Sequence, residues 1–242
     1  MTILSVNVNK IALLRNSRGS NNPDVLAFVR RLIGLGVKGI TVHPRPDERH
    51  VTRQDVLDIT DLLVDFPDVE FNIEGYPSEA FMALIEKVRP AQCTLVPDLP
   101  GQLTSDHGWD VQAHEALLEP VLADLRAWNV RSSLFLDPEP DLVDHAAAVK
   151  ADRIELYTEA YARAFGSPHE ESVLEVYRRT ARRATELGIG VNAGHDLSLA
   201  NLARFLEIPA ILEVSIGHAL VVESLEWGVD RVVQRYLAIT GR

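Results

Sequence analysis

The feature that most constrains the fold of this chain is a regular alternation of short β-branched runs with longer segments whose apolar residues recur at helical spacing. Because parallel neighbours need a crossover connection, strict alternation predicts parallel strands. Eight runs are typical of strands, namely ILSVNV (3–8), GITV (39–42), VEFNI (69–73), CTLVP (93–97), SSLFLD (132–137), RIELY (153–157), IGVNA (189–193) and ILEVSI (211–216). Eight repeats in 242 residues favour one (β/α)8 barrel domain over 1–242, with an open doubly wound sheet as the alternative.

Helices are predicted between these strands. Ser78 and Thr52 are typical N-caps, whereas Gly36 and Gly188 stand where helices should end. The stretch LLRNSRGSNNPD (13–24) is predicted to be a flexible loop, in which Arg15 and Arg18 are able to close over a phosphate. The predicted helices are 23–35, 54–65, 78–88, 112–128, 139–149, 170–187, 198–206 and 219–239.

Charge and composition narrow the class of protein. A formal net charge of −11 argues against nucleic acid or an anionic membrane as the main partner, because both require a basic face. The chain has no apolar run of about 18 residues and no secretory signal at its start, which predicts a cytoplasmic protein. Cys93 is the one cysteine of the sequence, so a disulfide within the chain is excluded.

Polar residues that are unusual for a strand end follow the predicted strands. In a parallel barrel such positions form the active site, because the loops after the strands meet over one mouth. Histidines and a carboxylate gathered there are able to exchange protons near neutral pH. The residues are Asn7, Asn9 and Lys10 after the first strand, His43 and Arg45 after the second, Glu74 after the third, Glu155, Thr158 and Glu159 around the sixth, His195 after the seventh, and Gly217 and His218 after the eighth.

Other interpretations of these residues stay open at this point. Gly194 and Gly217 either allow backbone N–H groups to approach a phosphate or simply permit tight turns. A histidine taken alone is more often a satisfied surface residue than a catalytic one. The sequence has no HExxH, no GxGxxG after the first strand and no GxSxG, which disfavours metal catalysis, dinucleotide binding and hydrolase chemistry.

Several motifs together resemble the pyridoxine 5'-phosphate synthase family, over nearly the whole chain. They are VNVNKIALLRNSRG and GITVHPRPDERHV at the first two strands, FNIEG at the third, LVPD followed by LTSDHGWDV at the fourth, SLFLDP at the fifth, VNAGH at the seventh and SIGHAL at the eighth. The resemblance implies a (β/α)8 TIM barrel with additional short helices, assembled as a homo-oligomer, an octamer, and working without a metal or organic cofactor. It also implies the joining of 3-amino-2-oxopropyl phosphate to 1-deoxy-D-xylulose 5-phosphate, which yields pyridoxine 5'-phosphate, phosphate and water.

The resemblance implies roles at matching positions. His43 and Glu74 are implied as proton acceptors, His195 as a proton donor and Glu155 as a stabiliser of transition-state charge. The implied contacts of the aminoketone phosphate are Asn7 and Arg18, together with backbone groups of Asp196, Gly217 and His218. The implied contacts of the pentulose phosphate are Asn9, Lys10, Arg45, His50 and Thr104.

The chain departs from the commonest family pattern at a few positions. Asn9-Lys10 stands where many members have Asp-His, Tyr157-Thr158-Glu159 where the usual ending is His-Thr-Gly, Asp196 where Gly follows AGH, and Ser215 where Asn precedes IGH. The implied proton-transfer residues are intact, which indicates a variant subgroup. The alternative functions are another phosphosugar isomerase or aldolase, for which Lys10 is the candidate Schiff-base lysine, and a non-catalytic barrel that binds a phosphorylated metabolite.

Overall fold

The computed structural model describes residues 1–98 and 105–241, and its strands form a closed parallel barrel. The strands pair in chain order, and β1 is bonded to β8 as well as to β2, which closes the ring. The strands are β1 (Ile3–Asn7), β2 (Gly39–Val42), β3 (Glu70–Gly75), β4 (Gln92–Leu95), β5 (Arg131–Leu136), β6 (Arg153–Tyr157), β7 (Gly190–Gly194) and β8 (Ile211–Ile216). The predicted (β/α)8 barrel is confirmed, and the open doubly wound sheet is wrong.

Helices on the outside of the barrel connect the strands. Within residues 1–98 and 105–241, no helix is both long enough and apolar enough to cross a membrane. The helices are α1 (Asn9–Asn16), α2 (Val25–Gly34), α3 (Arg53–Leu63), α4 (Glu79–Val88), α5 (Glu115–Ala127), α6 (Pro140–Ala148), α7 (Glu159–Ala164), α8 (Glu170–Glu186), α9 (Leu202–Phe205), α10 (His218–Trp227) and α11 (Val229–Thr240).

The predicted helix boundaries are mostly confirmed. Ser78 accepts a hydrogen bond from the N–H of Phe81, and Thr52 forms a reciprocal capping box with Asp55. The predicted helix 219–239 is wrong as a single element, because Gly228 adopts φ 82° and separates α10 from α11. The predicted helix 198–206 is reduced to α9.

The loop predicted over residues 13–24 is wrong at its start. Residues 13–16 belong to α1, which the apolar pattern did not reveal. The guanidinium of Arg15 is bound to both carboxylate oxygens of Asp55 in α3, at 2.5 and 2.8 Å. Arg15 is therefore tied to the helical layer, whereas Arg18 lies beyond α1 and is exposed.

The interior of the barrel is polar. Successive residues of a strand point to opposite faces, and β3, which reads EFNIEG (Glu70–Gly75), alternates polar with apolar side chains. Thr94 Oγ1 of β4 donates to Asn72 Oδ1 at 3.0 Å and, across the interior, to Glu155 Oε2 of β6 at 3.4 Å. The apolar residues of the strands pack outward against the helices in one continuous core. Glu74 is correspondingly a residue within β3 and not, as predicted, one that follows the strand.

Candidate active site

The first histidine of the mouth is held by the turn from β1 into α1. His43 directly follows β2 and is buried. Its backbone N–H donates to Asn9 Oδ1 at 3.0 Å, and the N–H of Asn9 donates to Asn7 Oδ1 at 3.0 Å. Asn9 thereby fixes the backbone that carries the imidazole, because the two asparagines link the end of β1 to the end of β2.

His43 and Glu74 form the central pair of the site. His43 Nδ1 lies 4.0 Å from Glu74 Oε2, and both side chains are buried. Asn7 Nδ2 donates to the same carboxyl oxygen at 3.3 Å. A base and an acid that are close, buried and held from neighbouring strands are arranged for proton transfer to a ligand above them.

Burial sets the protonation of this pair. The pKa of His43 is well below its ordinary value, first because burial disfavours the imidazolium and then because Arg45 and His50 add positive charge. The pKa of Glu74 is well above its ordinary value, first through burial and then through the charge of Glu155. At neutral pH the imidazole is a free proton acceptor, and the Glu74 carboxylate, once formed, is a stronger base than an exposed one.

Glu155 lies in the middle of β6 and points into the barrel. Thr94 donates to it, and a side-chain carbon at Gly194 would overlap its Oε1, so the glycine of β7 leaves room for the carboxyl. Burial, followed by the charge of Glu213, raises the pKa of Glu155 to about 8. The group therefore titrates near physiological pH.

His195 follows β7 and is clamped between aromatic rings. Its ring centroid lies 5.0 Å from that of Phe135 and 5.4 Å from that of Tyr157, the latter in an edge-to-face arrangement. The backbone has φ 74°, and Thr158 Oγ1 holds the turn by donating to the carbonyl of Gly194 at 2.7 Å and to that of His195. Among the described residues, His195 Nδ1 is buried without a hydrogen-bond partner. Burial lowers the pKa of His195 to about 4, an effect that the charge of Asp98 opposes.

A second group of predicted residues lies beside His43. The ring centroid of His50 is 6.3 Å from that of His43, and its pKa is lowered to about 4 by burial and then by Arg45, Arg49 and Lys10. Arg45 is buried and ion-paired with Asp98. Lys10 is exposed at the start of α1, close enough to affect His50 by charge. Thr104 lies outside the described residues.

The remaining predicted residues sit at the ends of β1, β7 and β8. A side-chain carbon at Gly217 would come within 3.1 Å of Asn7 Cβ, so these two positions are in contact. Gly217 and His218 begin α10, whose free N–H groups favour an anion. Asp196 is exposed, with φ 55°, and its carbonyl accepts from Asn201 Nδ2 at 3.1 Å. The structure does not bring Arg18 to this group by any described side-chain bond.

Sequence reasoning missed residues that shape the mouth. Asp98, Phe135 and Tyr157 are not in the predicted set, although Asp98 follows β4 at the position where the strand-end rule applies. Glu159 is paired with Arg163 at 3.2 Å, so its charge is partly compensated. Within the part of the chain that the structure describes, no group of three or more His, Cys, Asp or Glu residues is arranged to hold a metal ion.

The buried acids predict how stability depends on pH. Folding raises the pKa of Glu155 to about 8 and that of Glu213 to about 7, each from an ordinary 4.5, so the folded state binds more protons up to those values. His195 and His50, lowered from 6.5 to about 4, act in the opposite direction only below pH 6.5. From pH 6.5 to 8 the free energy of unfolding should therefore fall, by roughly 1 kcal/mol per pH unit at most for each group.

Chemical denaturation across this range measures the decline. Glu213→Gln should flatten it, because one of the acids that titrate there is removed. Glu86→Gln, a change of the same chemistry on the exposed face of α4, should leave the slope as it is. A free energy of unfolding that rises between pH 6.5 and 8 would contradict the assignment.

Fold and site together define a (β/α)8 barrel enzyme with a buried acid–base cluster at the mouth formed by the carboxyl ends of its strands. Residues 4–242 match the family model described as "Pyridoxal phosphate biosynthesis protein PdxJ", and the chain belongs to this family. The family resemblance seen in the sequence is thereby confirmed.

Known relatives resemble the chain over nearly its full length. A pyridoxine 5'-phosphate synthase of Bacteroides thetaiotaomicron is 49% identical over 237 residues, covering 98% of this chain and 98% of the relative. One from Albidiferax ferrireducens is 49% identical over 242 residues, covering 98% of this chain and 96% of the relative. A solved structure from Aquifex aeolicus VF5 has a TM-score of 0.65 at 14% identity, covering 99% of this chain and 92% of that one, which shows a shared fold alone.

Proposed function

We propose that this chain is a pyridoxine 5'-phosphate synthase that joins 3-amino-2-oxopropyl phosphate to 1-deoxy-D-xylulose 5-phosphate, releasing phosphate and water. The observation that carries the proposal is the buried pair of His43 and Glu74, 4.0 Å apart at the mouth of the barrel. The names of the relatives agree with this activity. The reaction needs repeated proton transfers between carbon, nitrogen and oxygen, and the site is built from groups that supply them.

The first stage is imine formation. The amine of the aminoketone attacks the carbonyl of the pentulose, and water leaves. His43, neutral at physiological pH because burial lowers its pKa, accepts a proton from the attacking nitrogen. Glu74 then removes a proton from the adjacent carbon to give an enamine, whose electron pair expels the next hydroxyl of the chain as water. The enol formed in this way expels the phosphate, and a water molecule adds to the carbon that carried it.

The second stage closes the ring by attack of the pentulose-derived enol carbon on the carbonyl of the aminoketone, which becomes a hydroxyl, and then aromatises it by loss of that hydroxyl as water. His195, once it has taken up a proton released in the first stage, gives it to the oxygen that leaves as water, while the electron pair of the neighbouring C–H bond, freed by Glu74, forms the new double bond. Glu155, in its ionised form, offsets positive charge that develops on the ring nitrogen. Its central position in β6, beneath the mouth, suits this role because the carboxyl is buried in a medium of low dielectric.

Two phosphate subsites orient the ketones. We assign the aminoketone phosphate to the side of β1, β7 and β8, and the pentulose phosphate to the side of β2, β4 and the start of α1. Holding both substrates makes their condensation effectively intramolecular, an advantage of up to about 7–11 kcal/mol. The first subsite contains Asn7, Arg18, Asp196, Gly217 and His218, and the second contains Asn9, Lys10, Arg45, His50 and Thr104.

The proposal extends to the assembly of the protein and its place in the cell. We propose a cytoplasmic homo-oligomer, an octamer, that works without a metal or organic cofactor. Exposed apolar side chains on two neighbouring helices, Leu13 and Leu14 of α1 with Val222 and Leu225 of α10, support burial between subunits.

Incubating the purified protein with both phosphorylated ketones tests the function. We expect pyridoxine 5'-phosphate, identified by its absorbance and mass. Trapping of a ketone on Lys10 by borohydride would favour an aldolase. Binding of both ketones without product would favour a non-catalytic barrel.

Lys10→Met should raise the pentulose KM more than the aminoketone KM. Lys10 contributes positive charge beside His50, on the side assigned to the pentulose phosphate, and methionine keeps the length of the side chain without the charge. The expected rise is about 3–10-fold, as for one partly exposed ion pair with phosphate. Steady-state kinetics with each ketone varied in turn measures it. Lys87→Met on the exposed face of α4 is the matched control, and equal effects on both KM values would refute the placement of Lys10.

A further inference from the structure

Asp98 is a buried carboxylate at the mouth that the proposed mechanism does not use. It lies three residues beyond β4 and is 6% exposed. Its Oδ2 accepts from Arg45 Nη2 and, at 2.8 Å, from Ser105 Oγ. One oxygen of the carboxylate is therefore fully engaged in holding the guanidinium of Arg45.

The other oxygen of Asp98 is buried and unsatisfied. Among the described residues, Oδ1 has no hydrogen-bond partner. A charged acceptor that is removed from water without a donor is costly, and native proteins rarely tolerate one outside functional sites. Such an atom fits a donor that arrives with a ligand.

The charge of Asp98 acts on the reacting part of the mouth. Beside burial, it is one of the causes that raise the pKa of Glu74 in β3, and it opposes the lowering by burial of the pKa of His195 beyond β7. These two residues lie on different sides of the barrel, so the carboxylate is within electrostatic reach of the space between them. That space is where the proposed mechanism places the substrates.

We propose that Asp98 is a substrate-binding residue, whose Oδ2 holds Arg45 in position and whose Oδ1 accepts a hydrogen bond from a chain hydroxyl of the pentulose phosphate. This assignment rests on the proposed function. Asp98 and Arg45 then bind the pentulose phosphate together. The guanidinium of Arg45 binds the phosphate, and the carboxylate of Asp98 accepts from the chain hydroxyl next to that phosphate.

The position of Asp98 on the barrel favours the pentulose over the aminoketone as its ligand. Arg45 and His50 follow β2, and Asp98 follows β4, whereas the aminoketone subsite is assigned to β1, β7 and β8. The pentulose carries hydroxyls on two adjacent carbons of its chain, and a hydroxyl is a hydrogen-bond donor that suits a lone carboxylate oxygen. The aminoketone has no hydroxyl on its carbon chain.

Asp98→Asn separates the two roles. Arg45 is a donor only, so the amide oxygen should stay turned toward it, and the amide NH2 then replaces the Oδ1 acceptor. By calorimetry, the affinity for 1-deoxy-D-xylulose 5-phosphate should fall about tenfold or more, as for a lost hydrogen bond to a charged group. The affinity for inorganic phosphate, a probe of the guanidinium alone, should change less than about twofold, which is small beside that loss.

Further variants make the comparison specific. Ser105→Ala removes one bond to Oδ2 and leaves Oδ1 in place, so the affinity for the pentulose phosphate should be close to that of the wild type. Asp106→Asn changes an exposed carboxylate on the same connection and should also be close to the wild type. If Asp98→Asn does not fold, an analogue of the pentulose phosphate without chain hydroxyls should bind the wild type about tenfold more weakly than the pentulose phosphate, and equal affinities would overturn the assignment.

Two outcomes would overturn the assignment. Equal loss of affinity for phosphate and pentulose phosphate would show that Asp98 acts only through Arg45, and unchanged affinity for both would show no role in binding. In either case wild-type protein that forms pyridoxine 5'-phosphate leaves the proposed function standing. Wild-type protein that neither binds the pentulose phosphate nor forms product would refute both.

Discussion

Replacing Glu74 by Gln should reduce turnover by about 10²–10⁴-fold, the contribution of a well-placed acid–base group. The amide keeps the size of the side chain, and its oxygen still accepts from Asn7 Nδ2, which donates to Glu74 at 3.3 Å. It is unable to take a proton from carbon, so the enamine should not form. Binding of each ketone, measured by calorimetry, should stay within a few-fold of the wild type.

The same substitution elsewhere provides the control. Glu86→Gln on the exposed face of α4 should retain full activity. The pH profile is a second readout, because the limb that reports Glu74 should vanish in the residual activity of Glu74→Gln. An active Glu74→Gln enzyme would remove this residue from the mechanism and leave His43 as the base.

The barrel could be predicted from sequence because its strands are bounded by sharp local signals. RIELY and ILEVSI end where predicted, at Arg153–Tyr157 and Ile211–Ile216, since apolar β-branched runs there meet polar or glycine-containing turns. The helix caps at Thr52 and Ser78 could be predicted as well, because a capping side chain bonds to the backbone of its own turn. Features that are local in the chain were predictable for that reason.

Helical features that depend on packing were harder to predict. Helix α1 begins just after β1, and the four apolar residues of NKIALLRN are consecutive and do not recur at helical spacing, so the stretch resembled a loop. The apolar period of 219–239 continues across Gly228, which concealed the break between α10 and α11. Arg15 found its partner in Asp55 of another helix, 40 residues away in the chain, and no local pattern predicts that contact.

Part of the candidate site could be predicted from the sequence, for the same reason. The strand-end rule placed His43 and His195 at the mouth, but it gave no reason to expect the polar interior that surrounds Glu155. Glu155, Thr94 and Asn72 come from different strands, and only closure of the barrel brings them into contact. Asp98 was not predicted as a site residue, because its importance depends on the ion pair with Arg45, 53 residues away in the chain.

Gly194→Ala should lower both the free energy of unfolding and the turnover, because the new methyl group displaces Glu155. The new methyl group would overlap Glu155 Oε1, so either the carboxyl or the end of β7 must move. Overpacking of this kind costs about 1–3 kcal/mol, and thermal or chemical unfolding should show the loss. A catalytic group misplaced by about 1 Å commonly costs about 10²-fold in rate, which steady-state turnover should reveal.

The origin of the damage can be isolated with two further variants. Gly34→Ala, in helix α2 with open space around the new carbon, should be neutral or slightly stabilising. Glu155→Asp withdraws the carboxyl by one methylene, so Gly194→Ala combined with Glu155→Asp should recover stability that Gly194→Ala alone has lost. Recovery of that kind requires the two positions to be in contact, because distant substitutions add independently. If the losses of stability in the double variant are strictly the sum of the two single losses, the methyl group strains β7 itself. Gly194 would then not be needed to make room for Glu155.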